Sequence, residues 1–339
     1  MTNDILIWGA GAIGGTVGAV LKSKGQDVTF VDAVSDHVEA IRDSRRGLRI
    51  KGPVQNTKVC AEAFTPLEVS GQWKRIFLCV KAQHTQQACQ ALVPHLADDG
   101  FVLSLQNGLC EQVIAENVGM ERTVGAFVNF GADWLGPGEI MYANRGAVVL
   151  GEMDGRISPR LGQLHEVIEL FEPQAIVTDD IMSYLWGKLA YASLLFGQAL
   201  GQLGIADCLA RPELEDVWQR LAAETLRVAH AEGVTPRGFN GFDPAAFMPG
   251  TDIVATRAGL AAIIAFNRSN AKSHSGVWRD LAIRKRGTEV DAIIGAILEV
   301  GITRGLVCPT LTRLVKMIHE IELGVRPMSD KNLDELAMT

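Results

Sequence analysis

Three glycines near the start of the chain, Gly9, Gly11 and Gly14, have the spacing of a nucleotide-binding loop. They follow a short apolar run typical of a buried β-strand, and a helical pattern follows them. In that setting Gly9 permits a tight turn, Gly11 lets a pyrophosphate approach the backbone, and Gly14 lets the helix pack on the strand. The phosphates would lie at the helix N-terminus, where free N–H groups favour negative charge. The pattern favours a dinucleotide site over a turn needed only for packing, and that site consists of Gly9, Ala10, Gly11, Ala12, Ile13 and Gly14.

Asp32 ends the second predicted strand, in the run Thr29-Phe30-Val31-Asp32. A carboxylate at this position accepts hydrogen bonds from the ribose hydroxyls of a dinucleotide and repels the 2′-phosphate of NADP. The next three residues carry no positive charge. We therefore expect NAD(H) to be favoured over NADP(H), and the alternative is an acid that only ends a strand in a turn.

Two more polar residues, Lys81 and Asn107, follow the ends of later predicted strands. In an open α/β sheet the ligand crevice lies outside the carboxyl ends of the strands. Lys81 could pair with an anionic group, and the Asn107 amide could bind the nicotinamide ribose or the substrate. Each also has an ordinary interpretation, since Lys81 could be a solvated lysine and Asn107 precedes Gly108 in a common turn pair.

Lys188 lies in an apolar helical pattern, and its neighbours one turn away are Tyr184, Leu185, Tyr191 and Ala192. A lysine on such a face must extend its ammonium to solvent, find a partner elsewhere in the fold, or have its pKa lowered by desolvation. A lowered pKa would make Lys188 a general acid near neutral pH. From the residues alone, the catalytic role and the extended side chain at a domain edge are equal alternatives.

A dense charged segment begins near Trp278 and ends in Thr288-Glu289-Val290-Asp291. An apolar stripe of helical spacing starts at Val290, which predicts a helix with Thr288 as its N-cap. Glu289 and Asp291 would lie in the first turn, where acids complement the helix dipole. The basic run 284–286 before them is typical of a solvated face.

Short β-branched runs alternate with helical patterns in the first half of the chain. Strands are predicted at 4–8, 28–32, 75–80, 101–105 and 124–130, and helices at 14–24, 35–43 and 85–96. This rhythm predicts an α/β fold with a parallel, Rossmann-type doubly wound sheet covered on both faces. Further extended segments are predicted at 139–142, 147–152 and 175–178, with a helix at 159–171.

The pattern changes near residue 180, beyond which we predict helices only. They are predicted at 181–204, 211–232, 251–270, 288–303 and 309–322, with an irregular loop at 236–249. We therefore predict a dinucleotide-binding domain at 1–180, an all-helical substrate and dimerisation domain at 181–325, and a C-terminal tail at 326–339.

Composition and charge narrow the class of protein. The 339 residues suit two domains, and hydrophobic and charged fractions of 47% and 21% are those of a globular protein. A net charge of −7 gives no basic surface for nucleic acid or an anionic membrane. The most apolar stretch, 185–210, contains Lys188 and Asp207, which favours a buried helix over a membrane span.

The six cysteines are scattered, with no CxxC and no cluster of metal-ligand spacing. We therefore expect buried, reduced thiols and no metal site. The chain begins directly with a strand pattern and shows no basic segment typical of a signal peptide, so we expect a cytoplasmic protein.

Five of these landmarks, in this order, resemble the ketopantoate reductase family, the 2-dehydropantoate 2-reductases. They are the glycine motif 9–14, Lys81, Asn107-Gly108, Trp186-Gly187-Lys188-Leu189 and Thr288-Glu289-Val290-Asp291. Together they span nearly the whole chain and are far more specific than a single glycine motif. The resemblance implies a Rossmann-type domain followed by an all-helical C-terminal domain, the 6-phosphogluconate dehydrogenase-like layout.

The resemblance implies NAD(P)H-dependent reduction of a small anionic 2-oxo acid to a 2-hydroxy acid. Lys188 would be the general acid that protonates the forming alkoxide, and Glu289 would help to orient substrate or cofactor. Lys81 and Asn107 would line the nicotinamide and the ribose. An ammonium is most effective where negative charge develops. We expect no nucleic-acid or membrane partner, and a homodimer is left open.

The chain departs from the family pattern in the substrate site. Family members carry asparagines four and eight residues after the lysine, where this chain has Ala192 and Phe196. The expected serine falls on Gly276, next to Ser275, and one residue is inserted before Thr288. Ala192, Phe196 and Ser275 then join Lys81, Asn107 and Lys188 as predicted substrate residues. An apolar pocket of this kind predicts that bulky apolar or aromatic 2-oxo acids are better substrates than ketopantoate.

Two alternatives remain. Another 2- or 3-hydroxyacid dehydrogenase or an opine dehydrogenase of the same superfamily would share this layout, and an opine enzyme would depend on an added amine. A non-catalytic NAD-binding regulator would keep the glycine motif, and Ala192 and Phe196 are consistent with it. Turnover of any 2-oxo acid distinguishes an enzyme from the regulator.

Overall fold

The structure, a computed structural model, describes residues 4–338. It consists of two compact units, of which one ends at Ile181 and the other begins at Met182. The first is α/β and the second is helical. In the described range, no helix combines the length and apolar character needed to cross a bilayer.

The strands and helices of the first unit include a counterpart of every element predicted for this half. The strands are β1 (Ile5–Trp8), β2 (Val28–Val31), β3 (Leu48–Lys51), β4 (Thr57–Val59), β5 (Ala63–Phe64), β6 (Trp73–Leu78), β7 (Leu96–Ser104), β8 (Thr123–Val128), β9 (Gly131–Gly136), β10 (Glu139–Asn144), β11 (Val148–Glu152) and β12 (Ile176–Val177). The helices are α1 (Ala12–Ser23), α2 (Ser35–Arg42), α3 (Thr85–Leu92), α4 (Glu111–Val118) and α5 (Pro159–Glu169). β3, β4, β5, β9 and α4 have no counterpart among the predicted elements.

The main sheet has the strand order β12-β11-β8-β7-β6-β1-β2-β5. From β5 to β8 all neighbours are parallel, and their order is the 3-2-1-4-5-6 order of dinucleotide-binding sheets. β11 then pairs antiparallel with β8. The central strands β1 and β2 are buried along their whole length, which explains their apolar runs. The predicted Rossmann-type sheet is therefore confirmed, with its switch point between β1 and β6.

A smaller sheet of strand order β4-β3-β10-β9 packs beside α1. Its strand β3 alternates between buried and exposed residues, as expected for a sheet with one face toward the core. A Cβ at Gly15 of α1 would overlap the Ile140 side chain of β10. The close packing of this sheet on the helix that follows the glycine motif makes the sheet relevant to the site.

The second unit is built from helices of unequal length. They are α6 (Ile181–Gln198), α7 (Ile205–Leu209), α8 (Glu215–Ala231), α9 (Ile253–Arg268), α10 (Gly276–Arg279), α11 (Ala296–Thr303), α12 (Pro309–Glu322) and α13 (Lys331–Ala337). Two π-helical turns, Asp280–Arg284 and Asp291–Gly295, precede α11. The late predicted helix at 288–303 therefore begins with a π-helical turn and continues as α11.

The prediction of a tail at 326–339 is wrong. Within this segment α13 contacts α8 and α12, and its residues Leu333 and Leu336 are completely buried. Arg326 binds Glu320 and Glu335 through ion pairs of 2.6 Å each. A seven-residue helix offers only two apolar positions on one face, too few for a periodic pattern to be recognised.

Candidate functional site

The glycine loop connects β1 to α1 at the carboxyl edge of the main sheet. Gly9 has a φ of +100°, and a Cβ there would lie 2.8 Å from the Val80 nitrogen. A Cβ at Gly14 would overlap the Gly9 oxygen and lie 2.8 Å from the Cys79 Cβ. At Gly11, by contrast, no heavy atom of the described residues lies within 4 Å of the Cβ position. Gly9 and Gly14 are therefore required by the fold, whereas Gly11 leaves space for a ligand.

The first turn of α1 is suited to an anion. Gly11 is the N-cap of this 12-residue helix, and within the described residues no side chain caps the turn and no acid lies in it. The N–H groups of such a turn lack helical partners and carry the positive end of the helix dipole. The residues present therefore fit the pyrophosphate of a dinucleotide.

Asp32 follows β2 directly and is half-buried. Its Oδ1 accepts a 2.9 Å hydrogen bond from the Val34 N–H, and its own N–H donates to the Phe64 oxygen at 3.0 Å. The carboxylate therefore stabilises the turn after β2, as expected for an acid that ends a strand in a turn. A carboxylate has four acceptor positions, so this single bond still leaves capacity for ribose hydroxyls.

Lys81 and Asn107 follow the neighbouring strands β6 and β7. The structure therefore places both at the sheet edge that carries Gly9 and Asp32, because β7, β6, β1 and β2 are consecutive and parallel. Lys81 is half-buried and Asn107 is exposed. Gly108 has a φ of +92°, which a turn after Asn107 requires. The predicted site residues of the first unit thus share one edge.

Gln106, which is not among the predicted site residues, holds two of these strand ends together. Its buried Nε2 donates to the Val80 oxygen at 3.0 Å and to Thr85 Oγ1 at 2.8 Å. Thr85 Oγ1 donates in turn to the Ala82 oxygen at 2.7 Å. These bonds fix the segment that carries Lys81 against the segment that carries Asn107. A polar amide that extends the buried run 101–105 is the sequence pattern that indicates such a role.

The cysteines depart from the prediction of buried thiols at two positions. All six are free, Cys60 is exposed, and Cys79 is only half-buried. Cys79 lies beneath the glycine loop, where burial raises the pKa of its thiol. The Cys79 thiol therefore stays protonated and unreactive near neutral pH.

The first part of the second unit's candidate site lies on α6. Gly187 permits the backbone of Arg237 to approach this helix, because a Cβ at Gly187 would overlap the Arg237 oxygen. Lys188 and Ala192 are half-buried, and Phe196 is buried. Spaced by four residues, these three share one face of the helix.

Tyr191 lies one turn beyond Lys188 on α6. Its hydroxyl accepts a 3.0 Å hydrogen bond from Asn267 Nδ2. Burial raises the pKa of Tyr191 to about 12. Near neutral pH the phenol therefore stays uncharged and adds no negative charge beside the lysine.

The second part of this site spans residues 275–291. Buried Ser275 is the N-cap of α10, and its Oγ accepts a 3.1 Å hydrogen bond from the Trp278 N–H. Thr288 Oγ1 accepts a 3.2 Å hydrogen bond from the Val290 N–H, just before the helical segment that begins at Asp291 with Val290 as its N-cap. The same hydroxyl donates to Glu322 Oε1 at 2.7 Å, which ties the segment to the end of α12.

The two acids after Thr288 differ in environment. Asp291 is exposed and lies 3.0 Å from His319 Nε2, as expected for a surface acid. Glu289 is only 4% exposed. The interpretation as an acid that complements the helix dipole accounts for the exposed Asp291. Carboxylates are rarely buried, so Glu289 is the candidate functional acid of the pair.

The prediction that the basic run 284–286 is a solvated face is wrong for Arg284, which is half-buried, whereas Lys285 and Arg286 are exposed. Arg284 and Arg286 bind the carboxylate of Asp280, which is 1% exposed, at 3.0 and 2.9 Å. A buried carboxylate requires such partners. Lys285 between them is exposed and has a φ of +49°. The π-helical turn at Asp280–Arg284 accommodates one residue more than an α-helical turn.

The sheet order, the glycine loop and the helical second unit are those of the nicotinamide-dependent oxidoreductase class. The sequence profile described as "Ketopantoate reductase PanE/ApbA" matches residues 5–155, and the profile "Ketopantoate reductase PanE/ApbA C terminal" matches residues 180–322. The two matches cover most of the chain, which therefore belongs to the ketopantoate reductase family.

Named relatives match along nearly their full length. The 2-dehydropantoate 2-reductase of Archaeoglobus fulgidus is 29% identical over 326 residues, which are 95% of this chain and 98% of the relative. That of Halobacterium salinarum is 27% identical over 318 residues, which are 93% and 97% of the two chains.

Solved structures share the fold. A PanE/ApbA family ketopantoate reductase from Ralstonia eutropha JMP134 matches with a TM-score of 0.78 and 25% identity, covering 95% of this chain and 99% of that one. D-mandelate dehydrogenase with NADH and anilino(oxo)acetate matches with a TM-score of 0.83 and 22% identity over the same shares of the two chains. The arrangement of one sheet domain and one helical domain is thus common to these oxidoreductases.

Proposed function

We propose that this protein reduces a 2-oxo acid to the 2-hydroxy acid with NADH as the favoured reductant. The observation that carries the proposal is the shared sheet edge, where the glycine loop, Asp32, Lys81 and Asn107 follow four consecutive parallel strands. The names of the curated relatives, 2-dehydropantoate 2-reductases, support the reaction class.

The cofactor, when bound, supplies a hydride to the carbonyl carbon of the substrate. The N–H groups at the start of α1 hold its pyrophosphate, and Asp32 accepts hydrogen bonds from its ribose hydroxyls. Lys81 and Asn107 bind the nicotinamide ribose and the substrate. The preference for NADH follows from Asp32, because a 2′-phosphate would meet a carboxylate.

Lys188 donates a proton to the carbonyl oxygen as that oxygen becomes an alkoxide. Negative charge develops on this atom during the reaction, and a positioned ammonium stabilises it more in the transition state than in the ground state. Glu289 orients the substrate or the cofactor, a role for which a buried carboxylate is suited. The Ser275 hydroxyl is a further candidate contact for the substrate carboxylate.

The face of α6 that carries Lys188, Ala192 and Phe196 favours apolar substrates. Ala192 provides space and Phe196 an apolar wall, where amide side chains would hydrogen-bond a hydroxylated acid. A site without such partners does not discriminate in favour of a substrate hydroxyl. We therefore propose a 2-oxo acid with a bulky apolar or aromatic side chain as the preferred substrate class.

The test is the rate at which NADH and NADPH are oxidised with a panel of 2-oxo acids, from ketopantoate to branched and aromatic members. The expected result is oxidation that requires both the protein and an acid, with no requirement for an amine. Oxidation that appears only with an added amine would indicate an opine dehydrogenase. Binding of the dinucleotide with no turnover of any acid would indicate a regulator.

A further inference from the structure

A histidine of α2, His37, contacts the glycine loop directly. The ring is 1% exposed, and its Nε2 lies 2.8 Å from the Ala10 oxygen. Its Nδ1 accepts a 2.9 Å hydrogen bond from the Gly138 N–H in the turn between β9 and β10. A carbonyl oxygen can only accept and an N–H can only donate, so Nε2 carries the ring proton and Nδ1 does not. The two contacts therefore fix a neutral ring in one tautomer.

The contact with Ala10 sets the orientation of one peptide group in the loop. In a planar trans peptide the C=O and the following N–H point in opposite directions. Because the Ala10 oxygen is held on His37, the N–H of Gly11 points away from α2. Gly11 is the N-cap of α1 and the glycine that leaves open space for a ligand. His37 thus determines where a backbone donor of the phosphate-binding loop is directed.

The surrounding residues provide room for this contact. A Cβ at Gly15 would lie 2.5 Å from the Ala10 oxygen, so a side chain there would displace the carbonyl from its position. Gly138 has a φ of +76°, and a Cβ there would lie 2.8 Å from the Ala40 Cβ of α2. The Trp134 ring of β9 packs edge-on against His37 with 6.1 Å between ring centroids. The glycine loop, α2 and the smaller sheet therefore meet at one buried side chain.

We propose that His37 is a positioning residue for cofactor binding. It holds the Ala10–Gly11 peptide in the orientation that binds the pyrophosphate of the nicotinamide dinucleotide. It acts through the loop, and through Gly138 it makes the smaller sheet part of the support of the cofactor site. The inference rests on the proposed nicotinamide-linked function.

Three variants test the proposal. His37→Phe keeps a ring and removes both hydrogen bonds, whereas His37→Gln keeps one donor and one acceptor. The matched control is His165→Phe, because His165 Nε2 also contacts a backbone oxygen, that of Ala175, at 2.7 Å within the same unit. His165 lies on α5, which packs on β11 and β12 rather than on the glycine loop.

Binding is measured directly. Fluorescence titration gives the Kd of NADH, and displacement gives the Kd of ADP-ribose, which carries the pyrophosphate without the nicotinamide. We expect His37→Phe to weaken both by about tenfold, the worth of one to two buried hydrogen bonds. His37→Gln should restore both to within about threefold of wild type. His165→Phe should lower the unfolding midpoint and leave both Kd values unchanged, and the KM for the 2-oxo acid at saturating cofactor should not change in any variant.

The outcomes are separable. A folded His37→Phe variant that binds NADH as wild type does overturns the proposal, and so does an equal loss in His165→Phe. If His37→Phe does not fold, the comparison passes to His37→Asn, whose amide is too short to span both partners. The proposal is supported if His37→Asn binds NADH more weakly than His37→Gln does. It is overturned if the two variants bind NADH equally. A wild-type protein that binds neither NADH nor NADPH contradicts the proposed function instead.

Discussion

The two units present their candidate functional residues by different structural means. In the first unit the groups that would bind the cofactor are mainly backbone N–H groups of a loop and side chains that directly follow parallel strands. In the second unit the candidate functional groups are side chains on a helix, at an N-cap and beside a π-helical turn. Backbone geometry is fixed by the whole sheet, whereas each of these side chains can be changed singly. Substitutions in the two units should therefore alter different constants, Kd of the cofactor in one and kcat in the other.

The largest expected effect separates the two units most clearly. Lys188→Ala should lower kcat by roughly 10²–10⁴, the usual worth of a positioned general acid, and leave the Kd of NADH unchanged. Steady-state kinetics and fluorescence titration on the same preparation measure both constants. Lys316→Ala, which removes an exposed lysine from α12, is the matched control. A Lys188→Ala variant with near-wild-type turnover on its best substrate rules out the role.

The second effect concerns stability rather than catalysis. Leu333→Ala removes a completely buried side chain of α13 and should lower the free energy of unfolding by about 2–4 kcal/mol. Leu323→Ala, at a position that is 77% exposed, should change it by less than about 0.5 kcal/mol. Chemical denaturation with matched m-values compares the two. Equal stabilities would mean that the C-terminal segment is dispensable for the second unit.

A smaller effect is expected at the cofactor's ribose. Wild type should bind NADH at least about tenfold more tightly than NADPH, since a charged hydrogen bond contributes roughly 1.5–3 kcal/mol. Asp32→Ser should reduce this preference, because the carboxylate that repels the 2′-phosphate is gone. Titration of wild type and of Asp32→Ser with NADH and with NADPH gives the ratio of the two dissociation constants for each protein. Equal affinity in wild type, or a preference for NADPH, would show the assignment of Asp32 to be wrong.

The smallest effect concerns the substrate side chain. Branched or aromatic 2-oxo acids should exceed ketopantoate in kcat/KM, and Ala192→Asn should shift the ratio toward ketopantoate by supplying an amide. Measuring kcat/KM for each acid with both forms of the protein gives the ratios. If ketopantoate leads in wild type by tenfold or more, about 1.4 kcal/mol of transition-state preference, the apolar pocket is excluded.

The difference between the units also explains what could be predicted from the sequence. The order of the strands places Gly9, Asp32, Lys81 and Asn107 at one edge, since parallel strands end on the same side of a sheet. No such rule applies to a helical unit, where the packing of the helices determines which side chains are buried and which lie together. The burial of Glu289 and the binding of Arg284 to Asp280 depend on packing that a local pattern does not contain.

Long-range pairing accounts for the failure to predict β3 in the first unit. β3 pairs with β10, and the hydrogen bond between Lys51 and Glu139 joins residues 88 positions apart in the chain. The bond from Gly138 to His37 spans 101 positions. Short strands with distant partners leave only weak local patterns. His37 could not be singled out either, because its position in α2 is that of an ordinary residue on an amphipathic helix face.

The most direct test of the central claim is the stoichiometry of the reaction. Wild-type protein is incubated with a known amount of NADH and an excess of an aromatic or branched 2-oxo acid, and the products are separated by chromatography. We expect one 2-hydroxy acid to form for each NADH consumed, in the absence of any amine. Consumption of NADH without the hydroxy acid, or no conversion of any acid on the panel with either cofactor, would contradict the assignment of this protein as a 2-oxo acid reductase.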